Sequence, residues 1–156
     1  MIYTITTIAP VCAKLHAQGK KIVLATGFFD LLHQEHINFL TKAKVVGDIL
    51  IVAVESDERA RALKGEGRPV KSQLVRCQKV SPHVDYVLAL DANFNNFAAF
   101  DSLMSAIRPD LYAISSHSLH LKSKTFLAEK YGGHLVVVHD FNPAISTTQI
   151  IQQTTT

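Results

Sequence analysis

Two histidines three residues apart, His33 and His36, follow a glycine and an aspartate in the stretch TGFFDLLHQEH, residues 26–36. Side chains at i and i+3 of a helix share one side. The free backbone N–H groups of a helix start attract anions, phosphate above all. Two imidazoles at such a start add donors for a phosphate, more so when protonated. Gly27 would let the backbone turn sharply or approach a ligand closely. Asp30 comes next, and Leu31 and Leu32 can anchor the loop in a core. Taken alone, the pattern also fits a plain helix start with two surface histidines, so the rest of the chain must decide.

Other stretches carry compatible chemistry. RARALKGEGRP (59–69) offers Arg59, Arg61, Lys64 and Arg68, and Gly65 and Gly67 would make its loop mobile, as a closing phosphate clamp is. ISTTQII (145–151) reads as a second helix start, with Ser146 as N-cap and Gln149 three residues on. Each of these also has an ordinary structural reading, as a solvated helix end and as a capping box. His117 and His120 repeat the three-residue spacing, but no third ligand can be named, so no metal site is read there.

These residues need a frame. Five short apolar runs fall at 21–26, 48–56, 84–90, 111–115 and 134–140. The first, second and fifth are nearly continuous, as strands buried on both faces are. Helical segments lie between them. PVCAKLHAQG (10–19) starts at a proline and stops at a glycine. HINFLTKAKVVG (36–47) ends at Gly47, residues 95–109 carry Phe97, Phe100, Leu103, Met104 and Ile107 on one stripe, and residues 122–133 end in a double glycine. Strands alternating with helices predict an α/β fold, a three-layer Rossmann-like parallel sheet of about five strands with helices on both faces. Ligands of such sheets bind beyond the carboxyl ends of the strands. The loops 27–36, 55–72, 90–96, 115–122 and 140–147 are therefore the ones to watch.

The bulk numbers fit this frame. A chain of 156 residues suits a single domain, 1–156. Apolar residues make up 47% and charged residues 19%, with no disorder signature. A net charge of +3, without a long basic run, permits an anionic ligand and gives no reason to expect nucleic acid. Cys12 and Cys77 form no CxxC pair and read as small core residues in a reducing, cytoplasmic setting. The longest apolar run, ILIVAV, is far too short to span a bilayer, and no membrane association is expected.

The stretch TGFFDLLHQEHINFLTKAKVVGDILIVAVESD resembles the cytidylyltransferase-like nucleotidyltransferase family, in which F-D-x-x-H-x-G-H opens a helix ending in G-D, followed by a strand ending in S-D. The likeness continues through LKGEGRPV, Arg76, VDYV, RPDL and ISTTQII. It is nearest to the nucleotidyltransferase domain of the ADP-heptose synthesis enzyme and to glycerol-3-phosphate cytidylyltransferase. It implies transfer of a nucleotidyl group from CTP or ATP to a small phosphorylated acceptor, with release of pyrophosphate. It implies that His33, His36 and Lys64 are catalytic, and that Gly27, Phe28, Phe29, Asp30, Arg76, Ser146, Thr147 and Thr148 bind the nucleotide. Mg2+ would accompany the triphosphate, held largely by phosphates and waters. Relatives are often homodimers, a state this sequence neither requires nor excludes. KSKT (122–125) faintly resembles the lysine-rich loop of class I aminoacyl-tRNA synthetases, but no tRNA-binding domain is expected in this length.

The likeness also has gaps. Glu35 stands where the family has glycine, and its bulk and negative charge are expected near the triphosphate. Ile114, Ser115, Ser116 and His117 replace a K-G-G-D-Y segment, and Ala144 replaces a glycine before ISTT. These departures leave an alternative, a catalytically impaired nucleotide-binding or regulatory domain of the same fold.

Overall fold

A computed structural model describes residues 1–140. Six parallel strands form one sheet: β1 (Ile2–Tyr3), β2 (Ile22–Gly27), β3 (Ile49–Val54), β4 (Tyr86–Ala89), β5 (Leu111–Ser115) and β6 (His134–His139). Their order across the sheet is β1-β4-β3-β2-β5-β6. The connecting helices are α1 (Ile5–Ala17), α2 (Gln34–Val45), α3 (Asp57–Lys64), α4 (Gln73–Val80), α5 (Phe97–Ile107) and α6 (Leu121–Lys130). A 3-10 turn, Ser81–His83, carries the proline that stops α4.

The sheet is a three-layer α/β structure because its central strands are apolar on both sides. Successive side chains alternate faces. Ile22, Leu24, Ile51 and Ala53 pack with Ile8 and Cys12 of α1, Leu103 and Met104 of α5, and Leu127 of α6. Val23, Ala25, Leu50, Val52 and Val54 pack with Leu40 of α2 and Cys77 of α4 on the other face. Cys12 and Cys77 are free and buried on opposite faces, and burial pushes each thiol up to about 11. No helix among the described residues is long and apolar enough to cross a membrane.

Four expectations change. The sheet has a sixth strand, β1, two residues long and paired with β4. The first helix starts at Ile5, not at Pro10, because Thr4 and Thr7 form a reciprocal cap; Pro10 lies inside it. β6 is an edge strand rather than a doubly buried one: Val137 is 59% exposed. Phe97 faces outward against Phe126, while Phe100 packs on Tyr112.

Aspartates close the end of the sheet opposite the site. Asp48 accepts from the Lys21 N–H, Asp85 from that of Leu50, and Asp110 from that of Ile22, each at 2.8 Å. Gly133 brings the chain into β6 at this end. A Cβ there would collide with the Pro109 carbonyl oxygen and press on that of Asp110. Gly133→Ala is expected to lower stability by about 1–3 kcal/mol, read as a lower urea midpoint with an unchanged slope.

Candidate active site

The chain runs from β2 through β3 to β4 on one side, then crosses back to β5 and β6 on the other. The strand order therefore reverses between β2 and β5, and the crevice beyond their carboxyl ends is the natural ligand site. Thr26, Gly27 and Phe28 line it from β2 and its exit, Tyr112 and Ser115 from β5, and His36 from α2. The Thr26 and Tyr112 hydroxyls meet at 2.7 Å at its floor.

The loop leaving β2 is strained and firmly held. Phe29 (φ 54°) and Leu31 (φ 48°) occupy the left-handed region, which costs a bulky residue about 1–3 kcal/mol. Asp30, 2% exposed, accepts from the N–H groups of Val70 (2.8 Å) and Lys71 (3.0 Å) and from Arg68 Nε (3.3 Å). Arg76, 1% exposed, donates to the carbonyls of Phe28 (2.8 Å) and Lys71 (3.0 Å) and to the Asp57 carboxylate (2.7 Å). So Asp30 and Arg76, both expected on the nucleotide, are committed to pinning the loop. Gly27 makes no left-handed turn; a Cβ there would lie 3.0 Å from the Phe29 ring. It leaves room for that ring.

The pinned loop delivers the histidines. His33 is the extended N-cap residue of α2, and its N–H donates to His36 Nδ1 at 3.3 Å. The two rings stack, with centroids 3.8 Å apart, and Phe29 meets His36 edge-on. Because Nδ1 accepts, the His36 proton sits on Nε2, and the ring is a neutral donor. Burial, then the charges of His33 and Lys64, bring its pKa down to about 3, with Asp30 opposing. Burial lowers His33 as well, with Glu35 opposing. Both rings are thereby held toward the neutral form, so any donation to a phosphate would come from a ring N–H without the added charge of protonation. Both ring nitrogens of His33 are buried without a hydrogen-bond partner among the described residues.

Positive charge comes from lysines. Lys64 ends α3 with Nζ 5.1 Å from the Phe28 ring centroid. Partial burial, then Arg68, draw its pKa down. Gly65 (φ 92°) and Gly67 (φ 80°) follow in a conformation that favours glycine. Lys124 of α6 also lines the crevice, donating to Ser118 Oγ at 2.6 Å. Burial lowers its pKa, and the nearby Glu55 carboxylate opposes this. Sequence reasoning missed this lysine as a site residue. It belongs to KSKT and lines the same crevice as Ser115.

Glu35, expected beside the triphosphate, does line the crevice, and its carboxylate meets His139 Nε2 of β6 at 2.5 Å. Ser146, Thr147 and Thr148 lie outside the described residues. No group of three or more His, Cys, Asp or Glu among the described residues could hold a metal ion.

The cytidylyltransferase-like family model matches residues 24–153, which include the strained loop, both histidines and Lys64. The chain belongs to the cytidylyltransferase-like family. Among curated relatives of this cytidylyltransferase-like chain, the bifunctional protein HldE of Desulfatibacillum aliphaticivorans is 36% identical over 143 residues, 88% of this chain. HldE of Geobacter sulfurreducens is 33% identical over 97% of the chain. The cytidylyltransferase-like chain spans under a third of these relatives, 28% and 30% of their lengths. The lipopolysaccharide core biosynthesis protein of Thermoplasma volcanium GSS1 superposes with a TM-score of 0.62 at 26% identity, over 80% of this chain and 98% of that one. A pantoate-beta-alanine ligase of Francisella tularensis, 14% identical, shares the fold with a TM-score of 0.64, over 99% of this chain and 77% of that one.

Proposed function

We propose that this chain transfers a cytidylyl or adenylyl group from CTP or ATP to a small phosphorylated acceptor. The observation that carries this reading is the stacked His33–His36 pair at the start of α2, beside Lys64, where the strand order reverses. An acceptor phosphate oxygen attacks the α-phosphorus in line, the bond to the bridging oxygen of the β-phosphate breaks, and pyrophosphate leaves. The chain forms no covalent bond; it positions the reactants and stabilises charge. His36 Nε2–H and the His33 ring donate to phosphate oxygens, while Lys64 and Lys124 supply the positive charge. Mg2+ accompanying the triphosphate would neutralise phosphate charge and would be held by phosphates and waters, since Asp30 is bonded to Val70, Lys71 and Arg68. The relatives named HldE and the lipopolysaccharide core protein support a sugar phosphate as acceptor.

The test is pyrophosphate release from CTP and from ATP with a panel of sugar, polyol and amino-alcohol phosphates. Turnover with one nucleotide and one acceptor class is expected. A folded protein that releases no pyrophosphate and binds neither nucleotide overturns the proposal. A second reading, nucleotide binding without turnover, draws on the lysine-less stretch Ser115 to His117. Calorimetric binding of a nucleotide without release in any pairing would favour it.

A further inference from the structure

Glu35 is 8% exposed, in the first turn of a helix whose start is read above as a phosphate site. A carboxylate there suits the helix dipole but opposes a triphosphate. What decides between these effects is where the carboxylate is held. His139, 7% exposed at the end of β6, places Nε2 2.5 Å from Glu35 and Nδ1 3.0 Å from Lys42 Nζ. An ammonium can only donate, so His139 Nδ1 accepts and Nε2–H donates to Glu35. Lys42 lies seven residues after Glu35 on α2, two turns along the same side. The imidazole thus bridges a carboxylate and an ammonium of one helix from a strand across the crevice. Glu35, His139 and His36 all line this crevice, so the bridge sits at its wall.

Resting on the function proposed above, we propose that His139 and Lys42 are positioning residues that hold the Glu35 carboxylate toward β6, keeping the start of α2 open to a nucleoside triphosphate. The glutamate at the glycine position is then compatible with binding, because its charge is engaged by His139 at the crevice wall. With the bridge cut, the carboxylate loses its His139 partner, and the N–H groups of its own helix start compete for it. The carboxylate then competes with the triphosphate.

The experiment measures KM for CTP and ATP and kcat in four proteins: wild type, His139→Ala, Glu35→Ala, and the double variant. His139→Ala is expected to raise the triphosphate KM about tenfold or more with kcat changed far less. The defect should shrink in high salt. Glu35→Ala alone should bind nucleotide as the wild type does, and in the double variant it should restore the KM lost in His139→Ala. His139→Gln, which offers an N–H near the position of Nε2, should keep most of the wild-type KM and covers the case in which His139→Ala fails to fold. Lys42→Met should act in the same direction as His139→Ala. An active wild type with a His139→Ala defect that Glu35→Ala does not relieve, or with no defect at all, overturns this inference alone. If His139→Ala does not fold, a His139→Gln defect unrelieved by Glu35→Ala does the same. A wild type that neither binds nor turns over any nucleotide overturns the proposed function, and this inference with it.

Discussion

Replacing His36 with alanine is expected to lower kcat/KM for nucleotidyl transfer by about 10²- to 10³-fold while leaving the fold intact. The ring does little for the core beyond its contacts with His33 and Phe29. It does present an N–H at the crevice whose direction is set by the bond from the His33 N–H to Nδ1. A donor fixed in place before the reaction needs no reorganisation when charge moves onto the departing pyrophosphate. His36→Gln retains an N–H and should recover part of the loss. The ring's pKa of about 3 gives the pH dependence its sign. Across about pH 5 to 8, where an ordinary histidine titrates, His36 stays neutral, and no change in rate over that window should trace to it. Stability behaves differently. The folded pKa lies below the ordinary histidine value of 6.5, so the unfolded chain takes up this proton first as pH falls. The contribution is complete above pH 6.5 and drains away as pH drops toward 3. Urea midpoints taken along that range should fall in the wild type and flatten in His36→Gln.

Arg76→Ala is expected to destabilise the protein by about 3–5 kcal/mol, as breaking a buried ion pair does. The lower end applies, because Asp57 keeps 34% of its side chain in solvent. Beyond that pair, the Phe28 and Lys71 carbonyls lose their donors, and the first of these belongs to the strained loop. Arg76→Lys should rescue little, since a single ammonium cannot reach three acceptors held in a fork. The urea midpoint should drop in both variants, and the nucleotide KM should rise with it. A direct contact between Arg76 and nucleotide would instead give Arg76→Lys normal stability and weak binding.

The contrast between these two residues shows what a sequence can disclose. The central strands were legible because β2 and β3 are buried on both faces, and that burial writes itself as ILIVAV and KIVLAT. His33 and His36 were legible because their partnership is local, spanning one helical turn. β1 escaped notice because two residues carry no periodicity; only pairing with β4 makes them a strand. β6 looked doubly buried because Leu135 to Val138 is a continuous apolar run, although the strand closes an edge. Arg76 and Asp30 read from the sequence as nucleotide-binding residues, whereas the partners they have, Asp57 and Phe28 for one and Val70 and Lys71 for the other, depend on how the two crossovers fold over each other. Lys124 sat in a stretch already singled out, and only the packing of α6 brought its Nζ to the crevice. Glu35 was read from its neighbours at 33 and 36, whereas its partner stands 104 residues away.

That separation bears on the order in which the molecule is put together. Contacts between residues so far apart form only after the intervening chain has been gathered in, and they are the slow ones in folding. A carboxylate at the mouth of the crevice with no imidazole opposite would be a buried charge out of place. On the role proposed for His139, the edge strand that supplies it doubles as a keystone, because the Glu35 carboxylate gains its imidazole partner only once β6 has docked. Under that role, docking of β6 and the opening of the crevice to an anion are coupled.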